Sequence, residues 1–324
     1  MGTAPSQRNL LVDALKFFAI ALVPAQHLLS LRSEFMHLPG ASWLVAAMLT
    51  FDMPLFTFLS GYVLPGREGT HPLRFLRTKA LVLLVPYLAW VALVMPLRHL
   101  PPADWLPRLG SALLSPHRGF QMWYLWVLFA LFVLFTVVRL VSKADIWTAG
   151  VAVGVGALLF LPLPQTLGAD KIAWLYPFLV LGYLCGKHRA SLRRYDPWIA
   201  LGGSLVFVVL TVLRPGGVPA LFAAGVGGIV ASWALYRLMP AGLIRVQAWI
   251  GQKTLGIYGA QMLVLPYVMV GSGWPGAIAS EITVMATSTL IAWVLGLTTV
   301  TRAAFLGQWP RKKRALSAAA SSEA

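Results

Sequence analysis

The sequence predicts an all-α fold: a polytopic membrane helical bundle of about ten transmembrane helices, with both termini in the cytoplasm. Three observations predict it. Of 324 residues, 58% are hydrophobic and 11% charged, with a mean hydropathy of +0.75; soluble proteins carry about a quarter charged residues, so this chain lacks the polar surface to face water all round. Apolar stretches recur near the length of roughly 20 helical residues that a bilayer core about 30 Å thick demands. Of the 26 Lys and Arg, against 10 Asp and Glu, all but Lys16 lie outside these stretches, which reads as a topology signal and not as a nucleic-acid face. Membrane β-strands alternate apolar and polar residues over about ten positions, whereas LWVLFALFVLFTVV at 125–138 does not alternate.

The elements follow in order. The first apolar stretch, 10–31, is long enough to span and has no small-residue cleavage pattern after it, so it reads as an uncleaved helix. A second span, 43–64, ends in SGYVL, and a third, 80–97, follows a basic loop. The connection 98–120 holds Pro101, Pro102, Pro107 and Pro116 and is too short to fold alone; its Trp105 suits the interfacial belt. Spans at 121–138, 146–162, 172–186, 197–213, 217–236, 254–270 and 278–301 complete the set. Residues 1–309 form one domain, and 310–324 a basic, then small and polar, cytoplasmic tail expected to be disordered beside anionic headgroups. Cys185, the single cysteine, excludes a disulfide framework and a cysteine metal cluster. No internal repeat of the kind many transporters show is visible.

Loop charge orients the bundle. With the amino terminus in the cytoplasm, nineteen of the 26 basic residues lie in inside segments and six (Arg32, Arg98, Arg108, Arg118, Lys171 and Arg214) outside, with Lys16 alone within a span. The opposite orientation reverses the positive-inside bias.

Ionisable groups within spans are costly and mark function by default. The first span carries Asp13, Lys16 and His27. Eleven helical steps from Lys16 to His27 return to within about 20° of the same direction and advance about 16 Å, so a polar stripe runs up one face, with Asp13 one turn below. The bland reading pairs Asp13 with Lys16 and bonds His27 to a carbonyl; the functional one makes His27 a general base. The second span holds Asp52, without Lys or Arg in its own helix, and Ser60. Arg74 and Arg77 stand one turn apart at the inner mouth, where topology alone expects positives and where an arginine fork also suits phosphate. Gln121 opens the fourth span, Tyr258 and Gln261 share a face near the end, and Glu281 opens the last span; interhelical bonding explains these as well as substrate contact does.

In order along the chain, these segments resemble the membrane-bound acyltransferase-3 family, in particular its fucose 4-O-acetylase-like acetyltransferases. The family's basic residue, ten residues and histidine match Lys16 to His27. Its Ser-Gly-Tyr segment matches TFLSGYVL, its Arg-x-x-Arg matches Arg74 and Arg77, and MWYLWVLFAL, YPFLVLGYLCGK and IGQKTLGIYGAQ follow in family order. Where the family often carries histidine, this chain has Asp52, Gln121 and Gln261.

The resemblance implies transfer of an acetyl or other short acyl group from cytosolic acyl-CoA to a hydroxyl of an envelope carbohydrate or glycolipid, in a bacterial inner membrane, with acetyl-CoA as co-substrate and no metal. It implies catalytic roles for His27, Asp52, Lys16 and Asp13. Donor contacts are implied for Arg74, Arg77, Lys16, Ser60 and Tyr62, and acceptor contacts for Gln121, Trp123, Tyr258 and Gln261. The partners implied are acyl-CoA, the envelope acceptor and membrane lipid, with no nucleic acid. Two readings compete: a transporter or flippase of an envelope precursor, whose path the polar stripe would line, and a catalytically impaired member with a scaffold role.

Overall fold

The computed structural model describes residues 9–67, 69–115, 122–192, 194, 196–214 and 216–309. Gln121 and the tail 310–324 lie outside these. Among the described residues the chain is helical and without strands.

Helix α1 (Leu10–Leu31) is capped by Asn9, whose side chain accepts hydrogen bonds from the Leu11 and Val12 amides, satisfying donors that a helix start leaves unpaired. A short α2 (Ser33–Met36) leads to α3 (Ala41–Tyr62), which starts behind Gly40 at a φ of 81°. Then come α4 (Pro72–Leu97), α5 (Trp105–Leu114), α6 (Trp123–Val141), α7 (Asp145–Ala157) and α8 (Ala169–Lys187). After a single turn, α9 (Arg189–Leu192), the chain forms α10 (Asp196–Leu213), α11 (Val218–Leu238), α12 (Ala241–Gly251), α13 (Thr254–Val264), α14 (Gly273–Leu295) and α15 (Thr299–Leu306).

Every one of the ten predicted spans falls on a helix. Among the described residues seven helices, α1, α3, α4, α6, α10, α11 and α14, are long and apolar enough to cross a membrane, and the other three predicted spans coincide with α7, α8 and α13. The 254–270 stretch differs from expectation because the helix ends at Val264, just before Pro266. The last helix also stops early, at Leu295, and α15 turns back along α4: the Trp90 indole donates to the Phe305 carbonyl at 3.1 Å. Residues 241–251, read as an inside loop, form α12, whose Gly251 lies against the backbone of Asp13 so closely that a Cβ there would stand 1.8 Å from the Asp13 carbonyl.

The tightest seam joins α3 to α8. A Cβ on Gly61 would lie 2.0 Å from the Leu179 carbonyl, one on Gly182 2.0 Å from the Phe58 carbonyl, and one on Gly186 2.2 Å from the Tyr62 carbonyl. Lipid tails supply no hydrophobic drive between helices, so close backbone approach through small residues is what holds them. Helix ends gather at two ends of the bundle. At one end Asp145 pairs with Lys187 at 2.8 Å, His188 at 2.9 Å and Arg139 at 3.5 Å, and Arg237 pairs with Asp196. At the other, Arg32 donates to the Leu265 carbonyl, the Trp43 indole donates to the Thr211 carbonyl, and Lys171 lies over Trp123.

Candidate functional site

The polar stripe of α1 points into the bundle. Ile20 and Val23 lie on the same face as Lys16 and His27, at four, seven and eleven residues from Lys16. Both are buried, in the cluster that holds Met53, Tyr124, Tyr258 and Met262. His27 is half-buried, and among the described residues no hydrogen bond reaches its ring. That departs from the bland reading of a carbonyl-bonded histidine. At the other end of the stripe the bland pairing holds: Lys16 bonds Asp13 at 3.2 Å, with the Asp13 side chain 5% and the Lys16 side chain 30% exposed.

The neighbouring face of α3 carries the polar residues of its span. Asp52 is buried; one carboxylate oxygen accepts the Met53 amide at 2.6 Å, and the other has no partner among the described residues. One turn on, the Thr57 hydroxyl donates to the Met53 carbonyl at 2.9 Å and lies 3.2 Å from the Tyr124 hydroxyl. Because the Thr57 proton is committed to Met53, Tyr124 is the donor in that second bond. Ser60, one turn further, also reaches the Tyr124 hydroxyl. Tyr124 meets Tyr258 edge to face, ring centroids 6.4 Å apart; Tyr258 hydrogen-bonds the Tyr124 backbone, and Asp52 lies within electrostatic reach of both phenols. Gln261, one turn beyond Tyr258, is fully buried with both polar side-chain atoms unpartnered among the described residues. Leaving such groups unpaired costs about 1–3 kcal/mol each, which makes this region suited to receiving hydroxyl groups.

Gly259 lets α13 come this close to α4, because a Cβ there would sit 2.0 Å from the Trp90 ring. Thr57 and Tyr124 were absent from the sequence-predicted site. Their signal was present: Asp52, Thr57 and Ser60 are the polar members of an otherwise apolar stretch, and Tyr124 lies within MWYLW.

The predicted donor residues are not gathered in one place. Arg74 and Arg77 are exposed on the first turns of α4. Ser60 faces Tyr124, whereas Tyr62 turns away and packs on Trp233 at 5.1 Å. Beside the start of α4 a cavity of about 560 Å³ is lined by His71, Phe75, Arg139, Lys143 and Tyr183, and Lys79 lies 3.8 Å over the Phe132 ring nearby. Arg139 and Lys143 were counted from sequence only as topology charges. Partial burial acts to raise the Asp145 pKa, but hydrogen bonds from Lys187 and His188 outweigh it and hold that carboxyl below its ordinary range. Trp123 lies at the opposite end of the bundle against Tyr124. Among the described residues no group of three His, Cys, Asp or Glu is placed to hold a metal ion.

A family model described as an acyltransferase domain matches residues 9–301, more than half of the chain. No curated protein and no solved structure matches it.

Proposed function

The chain belongs to the acyltransferase-3 family, and from that premise we propose that it moves an acetyl or other short acyl group from cytosolic acyl-CoA to a hydroxyl of an envelope carbohydrate or glycolipid in a bacterial inner membrane. The single observation that carries this reading is the inward stripe of α1. It runs about 16 Å along the helix and ends at a half-buried imidazole that no hydrogen bond reaches among the described residues, on the face that carries Ile20 and Val23 into the core of Tyr124 and Tyr258.

In this reading His27 takes the proton of the acceptor hydroxyl as its oxygen attacks the thioester carbonyl. The tetrahedral intermediate collapses with cleavage of the carbon–sulfur bond, and the imidazolium returns the proton to the departing CoA thiolate. An ester and free CoA are the products. Tyr258 and Gln261 present polar groups to the acceptor. Asp52 acts on the Tyr124 and Tyr258 phenols, which lie within its electrostatic reach, and the Asp13–Lys16 pair, 3.2 Å apart, keeps the entry polar without a net charge. Arg74 and Arg77 attract the CoA phosphates at the inner mouth.

The test is purified protein in vesicles with labelled acetyl-CoA and a membrane or sugar extract. Acceptor-dependent CoA release that is lost in His27→Ala and retained in Gly154→Ala, where an added methyl meets nothing within 4 Å, supports the reading. Release that is unchanged in His27→Ala removes that residue's role, and no release with any acceptor removes the enzyme reading.

A further inference from the structure

A second cavity, on the far side of α3 from Tyr124, has no part in the proposed reaction. It arises from how α10 sits. Near one end α10 meets α3: Phe207 packs edge to face on Phe51 with centroids 5.1 Å apart, and the Thr211 carbonyl accepts the Trp43 indole. Gly203 and Gly227 draw α10 tightly onto α11, against Val230 and Phe207. Towards its other end α10 diverges from α3 and α8, and a cavity of about 620 Å³ opens between them. Thr211 is the one buried residue of α10 among those described, so this wedge lies behind a helix that otherwise faces outward.

The wedge is amphipathic along its depth. Ile199, Val226 and Val230 line the stem, Tyr62 and Trp233 stand higher up, and Arg189, Arg237 and Asp196 close the mouth. Arg237 is paired with Asp196, which leaves the lining of the mouth, among the described residues, with one net positive charge. Trp198 is 74% exposed beside it, as an interfacial anchor is. The mouth lies at the end of the bundle that also carries Arg139, Lys143 and Lys187. An opening of this size within the hydrocarbon must be filled, because unfilled lining atoms forfeit their dispersion contacts. Sites of roughly 300–1,000 Å³ accommodate one small amphiphile.

We propose that this wedge between α3, α8, α10 and α11 binds one anionic phospholipid from the adjoining leaflet, its phosphate at Arg189 and Arg237 and its chain along Ile199 and Val230. Charge complementarity selects the occupant: basic residues near a membrane surface favour anionic over neutral headgroups.

Cys185 lines the same cavity and is the single cysteine of the chain, so its maleimide labelling reads occupancy directly. The full chain is reconstituted in phosphatidylcholine, with or without phosphatidylglycerol. Phosphatidylglycerol is expected to slow labelling about tenfold. Arg189→Gln with Arg237→Gln should abolish that protection, and native mass spectrometry should find one retained phosphatidylglycerol in the parent and none in the double variant. Should the double variant not fold, Ala200→Trp, which fills the stem and keeps the charges, should likewise lose the retained lipid. Labelling indifferent to headgroup overturns the proposal. Equal protection by inorganic phosphate assigns the mouth to free anions, and protection by acyl-CoA in phosphatidylcholine assigns the wedge to the soluble thioester; either result also overturns it.

Discussion

The Tyr124 hydroxyl donates to Thr57 across the α3–α6 contact at 3.2 Å, while Thr57 donates its own proton to the Met53 carbonyl. One threonine thus ties a tyrosine sixty-seven positions away to the backbone turn that follows Asp52. The bond orients the Tyr124 ring against Tyr258, and so sets the wall of the candidate site. Removing it with Tyr124→Phe is expected to cost about 1 kcal/mol of stability, the net worth of a neutral hydrogen bond. The Thr57 proton stays bonded to Met53, which limits the loss. A thermal shift measured in detergent or nanodiscs checks this, and a variant as stable as the parent would show that the bond contributes nothing.

His27 tests chemistry separately from folding. With its ring half-buried and not hydrogen-bonded among the described residues, His27→Ala should leave the melting temperature close to that of the parent. Acyl transfer should fall by about 10²- to 10⁴-fold, the range for a lost general base. A large fall in both would make the histidine a structural residue.

The α3–α8 seam predicts a contrast between glycines. Gly61→Ala or Gly182→Ala puts a methyl group about 2 Å from a backbone carbonyl, where no flexible side chain can yield, and overpacking of this kind costs roughly 1–3 kcal/mol. Gly154 on α7 meets nothing within 4 Å. There Gly154→Ala should be neutral or stabilising by about 0.5–1 kcal/mol through helix propensity. Equal melting temperatures for the three variants would contradict the packing.

Asp145 predicts a pH dependence. Burial is the largest single effect and acts to raise its carboxyl, but the hydrogen bonds and charges of Lys187 and His188 together hold it below the ordinary range; Arg139 also faces it, at 3.5 Å. A depressed pKa contributes stability above the unfolded value of about 3.9 and loses it as pH falls through the folded value. Asp145→Asn should therefore melt below the parent at neutral pH, and the two should converge in acid. A gap independent of pH would assign the effect to packing.

Arg74 and Arg77 are exposed, so their influence on a CoA phosphate is screened by salt. Arg74→Ala with Arg77→Ala should weaken acyl-CoA binding at low ionic strength and flatten its salt dependence. If the wild-type salt slope persists, Arg139 and Lys143 beside the 560 Å³ cavity carry the attraction instead.

Much of the site was legible in single helices. The Lys16–His27 face and the Asp13–Lys16 pair follow from rotation per residue within one segment. The pairing of Tyr62 with Trp233 was not legible, because Ser60 and Tyr62 are two residues apart and point about 200° apart around the helix. A motif containing both therefore serves two different compartments. Residues 241–251 escaped recognition because α12 is short and carries Arg245, and its helical packing depends on Gly251 meeting α1.

Composition and periodicity by themselves determined the solvent of this protein, its helical class and the face on which its polar stripe lies, since these depend on residue type and spacing within one stretch of chain. Tertiary structure alone decided which polar groups meet: Thr57 with Tyr124, Asp145 with Lys187 and His188, and Arg237 with Asp196. The reason is geometric. Those contacts join positions more than forty residues apart, and they exist only once glycine-mediated crossings have set the distance and angle between helices.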